Sequence, residues 1–300
     1  MKWIKKFLPS YRLSREKLTC RMSAPDAPCH YIPIPIHDLK LTPLIRAKVN
    51  RYRESPVIVQ PPNMQKRLGV VVPYRHREAH LAVFPGALSA FLTAESIQHT
   101  ILIVEQGDDA QPFNCGQLKN VGASLLMSSC DYICFHDIDM LPITASYGMT
   151  HHPTLLAHSI SQFDIHKNHS TYFSGALLFT PEHFSAVNGF SNEYWHWGCE
   201  DDDLFMRCLL AGLTPIADTR GRFESLPHQP SIIQTPDGQY QQDPAKKIAL
   251  QKLYEKNKAR YKAMRRGLID FRQEGLNTLR FTVKNKQQYI SYEKVTVEIG

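Results

Sequence analysis

Residues 68–77, LGVVVPYRHR, and residues 132–139, YICFHDID, enclose the stretch whose periodicity decides the fold. Leu68–Val72 is a short continuous apolar run closed by Pro73, the pattern of a strand covered on both faces. Leu81, Phe84, Leu88, Phe91 and Leu92 then recur at helical spacing. Ile101–Val104 is a second buried run, Leu118, Val121 and Leu125 mark a second helix, and Tyr132–Phe135 is a third strand. Strand, helix, strand, helix, strand within about 70 residues predicts an α/β chain with a mostly parallel, doubly wound nucleotide-binding half. Ligands of such sheets bind beyond the carboxyl ends of the strands, where Arg75, Arg77, Glu105, Asp137 and Asp139 fall. No GxGxxG and no Walker lysine loop accompanies them, which removes the main support for dehydrogenase and P-loop readings.

Downstream, Tyr172–Thr180 reads as a strand and Pro181–Val187 as a short helix with proline at its start. Trp195 and Trp197 precede Glu200, Asp201, Asp202 and Asp203, which lead into a helix stopped at Gly212. One or two carboxylates would satisfy the helix dipole; four exceed that need. Leu213–Ala217, Leu279–Val283 and Lys294–Ile299 complete the expected strands. Upstream, residues 1–65 carry eight prolines among positions 25–62 and read as an irregular arm that packs on, or tethers, a body at 66–300. Within that body, 66–140 is expected to form the nucleotide-binding half and 141–300 the acceptor-binding and catalytic half.

Charge is segregated. The net charge is +7, yet residues 246–266 carry +8 and residues 1–20 carry +5, so the remainder is mildly acidic at −6. The basic helix expected over 246–266 suits an anionic acceptor or a membrane surface; no nucleic-acid motif accompanies it. No stretch approaches the ~20 apolar residues that span a bilayer, and the apolar run in the first residues is too short for a signal peptide. Seven cysteines without a CxxC pair point to free thiols in a reducing compartment.

The chemistry-bearing residues fall into four groups. Asp137 and Asp139 at a strand end can share a divalent cation with a bound diphosphate. Arg75 and Arg77 suit phosphate or uracil recognition. Clustered carboxylates at Glu200–Asp203 raise one another's pKa, so that one can act as a general base, and the tryptophans offer flat faces to a sugar. His228, distant in sequence, suits a further metal ligand.

Taken together these segments resemble the β-1,4-galactosyltransferase family, glycosyltransferase family seven, a metal-dependent inverting group with a GT-A fold. VVVPYRHREAHL resembles its first strand and arginine pair, FNCGQLKNVG its nucleotide-proximal segment, and FHDID its metal motif. YFSGALLFTPEHFSAVNGFSNEYWHWGCEDDDLFMR is the most specific block, and EGLNTLRFTV matches a C-terminal segment. The resemblance implies that Arg75, Arg77 and Phe113 hold the uridine and phosphates. It implies manganese (or magnesium) on Asp139 and His228, with Asp137 beside the ribose and metal. Asp201 would be the catalytic base, with Glu200, Asp202 and Trp197 shaping the donor and acceptor pocket. Tyr172 and Gly175 would line the donor pocket, the bulky aromatic favouring UDP-galactose over UDP-N-acetylgalactosamine.

Three departures from the pattern stand out. Ser225 occupies the place of a methionine three residues before the metal histidine, WHWGC stands for WGWGG, and YFSG for YFGG. No counterpart of the Golgi enzymes' membrane anchor is evident, so the expectation is a bacterial, cytoplasmic relative, peripheral at the inner face of the membrane, acting on a glycan or glycolipid acceptor. Two rival functions remain at this level: transfer of N-acetylgalactosamine on the same fold, and a catalytically silent glycan-binding scaffold.

Overall fold

The computed structural model describes residues 30–36, 39–51, 57–108, 110–161, 172–227 and 244–300, together with short strands at 20–22, 233–234 and 240–241. In chain order the strands are β1 (Cys20–Met22), β2 (Tyr31–Pro33), β3 (Val57–Val59), β4 (Leu68–Tyr74), β5 (His99–Gln106), β6 (Tyr132–His136), β7 (Met140–Thr144), β8 (Thr154–Leu155), β9 (Ser159–Ile160), β10 (Ala176–Phe179), β11 (Ile216–Asp218), β12 (Arg222–Ser225), β13 (Ile233–Gln234), β14 (Tyr240–Gln241), β15 (Phe281–Gln288) and β16 (Glu293–Ile299). Nine of them form one mixed sheet in the order β15-β16-β5-β4-β6-β10-β8-β11-β2.

The predicted strand–helix–strand–helix–strand unit is present. β4 pairs in parallel with both β5 and β6, and every residue of β4 is buried, as its unbroken apolar run requires. The connecting helices are Glu78–Ala94 and Cys115–Leu126. The second lies directly on β4, because a Cβ at Gly122 would collide with the Val71 side chain. Antiparallel β10 then joins β6 with Ala176 opposite His136. This pairing sets residues 172–175 alongside the Asp137 end of β6, and the Asp137 amide donates to the Gly175 carbonyl at 2.9 Å.

Two expectations are corrected. The strand predicted over Tyr172–Thr180 is confined to Ala176–Phe179, because Gly175 has φ +85°, a left-handed conformation that ends the extended run. Residues 1–65 are not uniformly an irregular arm outside the body. Tyr31–Pro33 is an edge strand of the main sheet, paired with β11, and the helix Pro43–Arg51 sends Ile45 and Val49 into the same core as β4. Among the described residues no helix is long and apolar enough to cross a membrane.

Candidate active site

The helix Glu200–Leu210 begins at Cys199, a left-handed residue (φ 76°) whose side chain makes no capping bond. The four acids of its first turn have different surroundings. Asp203 is buried and structural: Arg207 Nε lies 2.6 Å from one carboxylate oxygen, and the Tyr194 hydroxyl donates to the other at 3.0 Å. Arg207 continues to Glu274 at 2.7 Å, where Arg260 of the helix Pro244–Arg265 also binds at 2.7 Å. The fourth acid is thereby removed from the chemistry that its neighbours could perform.

Asp201 points to the carboxyl end of β6. Its Oδ1 lies 3.3 Å from Lys119 Nζ, and its Oδ2 accepts from Ser174 Oγ at 2.5 Å. Lys119 also lies 3.6 Å from Asp137 Oδ1, so one ammonium links the strand-end carboxylate to the helix carboxylate. Burial opposes the charge on Lys119, but Asp201, Asp137 and Glu200 outweigh it and hold the lysine pKa well above its ordinary value. Burial pushes Glu200 up to about 8, with Asp201 adding to the shift, and pushes Asp202 up to about 6. Asp137 is raised to about 6, by burial first and then by Asp201 and Asp139 against the pull of Lys119.

Behind Asp137, His136 is fully buried, and burial lowers its pKa to about 4. Its Nδ1 lies 2.9 Å from the Asp137 carbonyl and its Nε2 2.8 Å from the Tyr147 hydroxyl. A carbonyl can only accept, so Nδ1 carries the proton and the neutral ring anchors the strand end. Tyr172 and Gly175 form one wall: a Cβ on Gly175 would stand 3.1 Å from the Tyr172 hydroxyl and 3.0 Å from Met140 Cε. Burial, with Asp137 and Asp201 adding, keeps that hydroxyl protonated far beyond its usual range.

On the opposite side, Arg75 donates to the Gln111 carbonyl at 2.9 Å, and its guanidinium lies 5.7 Å from the Phe113 ring centre. Arg77 is the residue immediately before the helix Glu78–Ala94, half-buried at the same sheet mouth. The Phe113 carbonyl accepts from the His196 amide at 2.6 Å, which joins this region to the tryptophan loop. Trp197 is 67% exposed and lies against Tyr254, ring centres 5.3 Å apart, while Trp195 packs half-buried on the core. Asn257, from the same long helix as Tyr254, donates to the carbonyls of Trp195 and Trp197 at 3.0 and 3.3 Å. His196 and Cys199, the residues that replace glycines of the family pattern, have φ of 67° and 76°, so they occupy the left-handed conformation a glycine would take freely.

The donor set suits a hard divalent cation. Asp137 and Asp139 supply carboxylate oxygens one residue apart, and the Leu226 amide donates to the Asp139 carbonyl at 2.7 Å. β12 pairs with β7, Ser225 opposite Met140, and so delivers the chain beside Asp139 two residues ahead of His228. His228 itself lies outside the described residues, and among the described residues no three His, Cys, Asp or Glu side chains converge on one point.

The sequence reading missed Lys119 and Asn257. A lysine in the middle of an otherwise apolar and small-residue helix face, NCGQLKNVGA, was the available signal for the first. Nothing in the sequence marks Asn257, which acts through side-chain hydrogen bonds to a loop about 60 residues away.

Residues 46–147 match the family described as "N-terminal region of glycosyl transferase group 7", and residues 154–233 match "N-terminal domain of galactosyltransferase". β-1,4-Galactosyltransferase 7 of Mus musculus is 33% identical over 227 residues, 73% of this chain and 62% of that protein. β-1,4-Galactosyltransferase 1 of Mus musculus is 28% identical over 241 residues, 78% of this chain and 55% of that protein. The chain thus spans little more than half the length of these relatives. The catalytic domain of Drosophila β1,4-galactosyltransferase 7 in complex with xylobiose superposes with a TM-score of 0.59 at 24% identity, over 78% of this chain and 94% of that one. A mutant of the same enzyme, in complex with manganese, UDP-Gal and xylobiose, superposes with a TM-score of 0.57. Sheet order and these superpositions therefore define a GT-A fold. The chain belongs to the β-1,4-galactosyltransferase family, glycosyltransferase family seven.

Proposed function

We propose that this chain transfers galactose from UDP-galactose to a hydroxyl of a glycan or glycolipid acceptor with inversion, forming a β-1,4-type linkage. The observation that carries the reading is the position of Asp201: at the first turn of a helix, half-buried, with both oxygens held and facing the strand end that bears Asp137. The names of the relatives and the UDP-Gal and manganese of the Drosophila complex support the donor and the ion.

In this reading Arg75, Arg77 and Phe113 bind the uridine diphosphate, and Tyr172 with Gly175 bounds the galactose. Manganese, held by Asp139 and His228 with Asp137 beside it, would offset the charge of the departing diphosphate. Asp201 accepts the proton of the acceptor hydroxyl as that oxygen bonds to the anomeric carbon from the face opposite the diphosphate. The bond from that carbon to the diphosphate oxygen breaks in the same displacement, its electron pair leaves with UDP, and an α-linked donor gives a β-linked product. Trp197 and Asp202 position the acceptor. In the same reading the protein acts in the cytoplasm, with the exposed basic side chains of residues 252–266 as its contact with the inner face of the membrane.

The test is UDP release from a panel of UDP-sugars, with manganese and then with EDTA, for wild type and Asp201→Asn. Turnover of UDP-galactose alone, lost in EDTA and lowered about 10²–10⁴-fold by Asp201→Asn with donor binding retained, is the expected outcome. Wild-type rates in Asp201→Asn would remove the base assignment. Turnover of UDP-N-acetylgalactosamine would overturn the reading of Tyr172 and keep the mechanism. Failure to bind any UDP-sugar with manganese would favour a silent glycan-binding scaffold.

A further inference from the structure

Lys119 is 2% exposed, in the interior of the helix Cys115–Leu126, and its ammonium stands between two carboxylates of different elements: Asp201 Oδ1 at 3.3 Å and Asp137 Oδ1 at 3.6 Å. The Phe190 ring supports it from another side, 5.0 Å from the ring centre. Its helix is itself fixed. Asn114 caps it through the Gln117 amide at 2.9 Å and donates to the Asn192 carbonyl at 2.8 Å. Asn120 both donates to the Phe190 carbonyl and accepts from the Phe190 amide, each at 2.9 Å. These bonds clamp the lysine's helix to the segment that leads into the helix of Asp201.

A buried ammonium is a costly means of stabilisation, since well-packed apolar residues of similar volume do as well or better. Its placement here has a different consequence. Asp201 has two carboxylate oxygens, and Lys119 and Ser174 take one each, so rotating the carboxylate about its own axis would break both contacts. Without the ammonium, Asp137, Asp201 and Glu200 would repel one another across a half-buried site.

We propose that Lys119 is a positioning residue: it holds the Asp201 carboxylate in its proton-accepting pose and ties it to Asp137, so that the base and the metal motif keep one fixed separation. This rests on the reading of Asp201 as the base. It assigns to the helix Cys115–Leu126, a nucleotide-side element, a direct hand in the acceptor-side chemistry.

The experiment compares wild type, Lys119→Met and Lys119→Arg in three measurements. Steady-state kinetics with UDP-galactose should show Lys119→Met lowering kcat by about 100-fold with the donor KM changed less than about threefold, and Lys119→Arg recovering most of the loss. Calorimetric titration with UDP and manganese should show donor-site binding kept in both variants. Carbodiimide labelling of carboxylates, read by peptide mass, should show Asp201 modified several-fold faster in Lys119→Met than in wild type; this reading needs no turnover. Should Lys119→Met fail to melt cooperatively, Lys119→Gln carries the same measurements.

An unchanged kcat in Lys119→Met would overturn the proposal. So would a raised donor KM with kcat kept, which would make Lys119 a donor contact instead. If wild type does not turn over UDP-galactose, the functional reading falls separately, and labelling alone decides: an Asp201 no more reactive in Lys119→Met than in wild type overturns the positioning role.

Discussion

Glu200 and Asp201 are adjacent carboxylates in one helical turn, yet only Asp201 is gripped at both oxygens by Lys119 and Ser174. Burial raises Glu200 from its ordinary 4.5 to about 8, with Asp201 adding to the shift. A carboxyl raised on folding costs stability wherever the unfolded chain has released its proton and the folded chain has not. The cost therefore grows as pH climbs from 4.5 to 8 and is level above that. Glu200→Gln should accordingly melt at a higher temperature than wild type near neutrality, with the difference shrinking toward zero as pH falls to 4.5. A pH-independent difference would remove this assignment. At Ser174, loss of the hydroxyl frees one Asp201 oxygen; Ser174→Ala should lower kcat by about tenfold while leaving donor binding intact, as measured by UDP release and calorimetry.

The helices meet through contacts of two kinds. Gly122 lets the helix Cys115–Leu126 lie on β4, and Gly122→Ala should overpack Val71 and cost about 1–3 kcal/mol in denaturant unfolding. Asp203, Arg207 and Glu274 form a buried ionic chain between the helix Glu200–Leu210 and the segment around residue 274. Arg207→Met leaves Asp203 buried without its cation and should cost about 3–5 kcal/mol, measured in urea. The run Glu200–Asp203 reads as one acidic cluster in the sequence, although Asp203 is turned into this chain and Asp202 lies toward Arg265 of the long helix. Which acid turns inward depends on what lies behind the helix, here Tyr194 and Arg207.

On the scale of the whole molecule, the basic character of 246–266 is not all presented outward. Arg260 is engaged with Glu274, whereas Lys252, Lys256, Lys262 and Arg266 are exposed. Those four define the face that should bind anionic vesicles, and their joint replacement by glutamine should abolish salt-sensitive co-sedimentation without changing UDP binding. Retention of vesicle binding would place the contact elsewhere.

The sequence by itself determined the parallel strand–helix unit from Leu68 to Asp139. Its strands are buried on both faces and so consist of unbroken apolar runs that announce themselves without reference to partners. It determined also which residue types crowd the site: the Asp137–Asp139 pair and the acids after Trp197 are contiguous, and contiguity is visible in a string. Strands of two or three residues such as β2, β8 and β9 carry no such signal, because their stability comes from pairing with chain far away. That residues 31–51 belong to the body was decided by this pairing and not by their prolines. The same holds for Lys119, separated from Asp201 by 82 positions. Only the clamp between its helix and residues 190–192 turns an ordinary lysine in a helical pattern into the cation between two carboxylates.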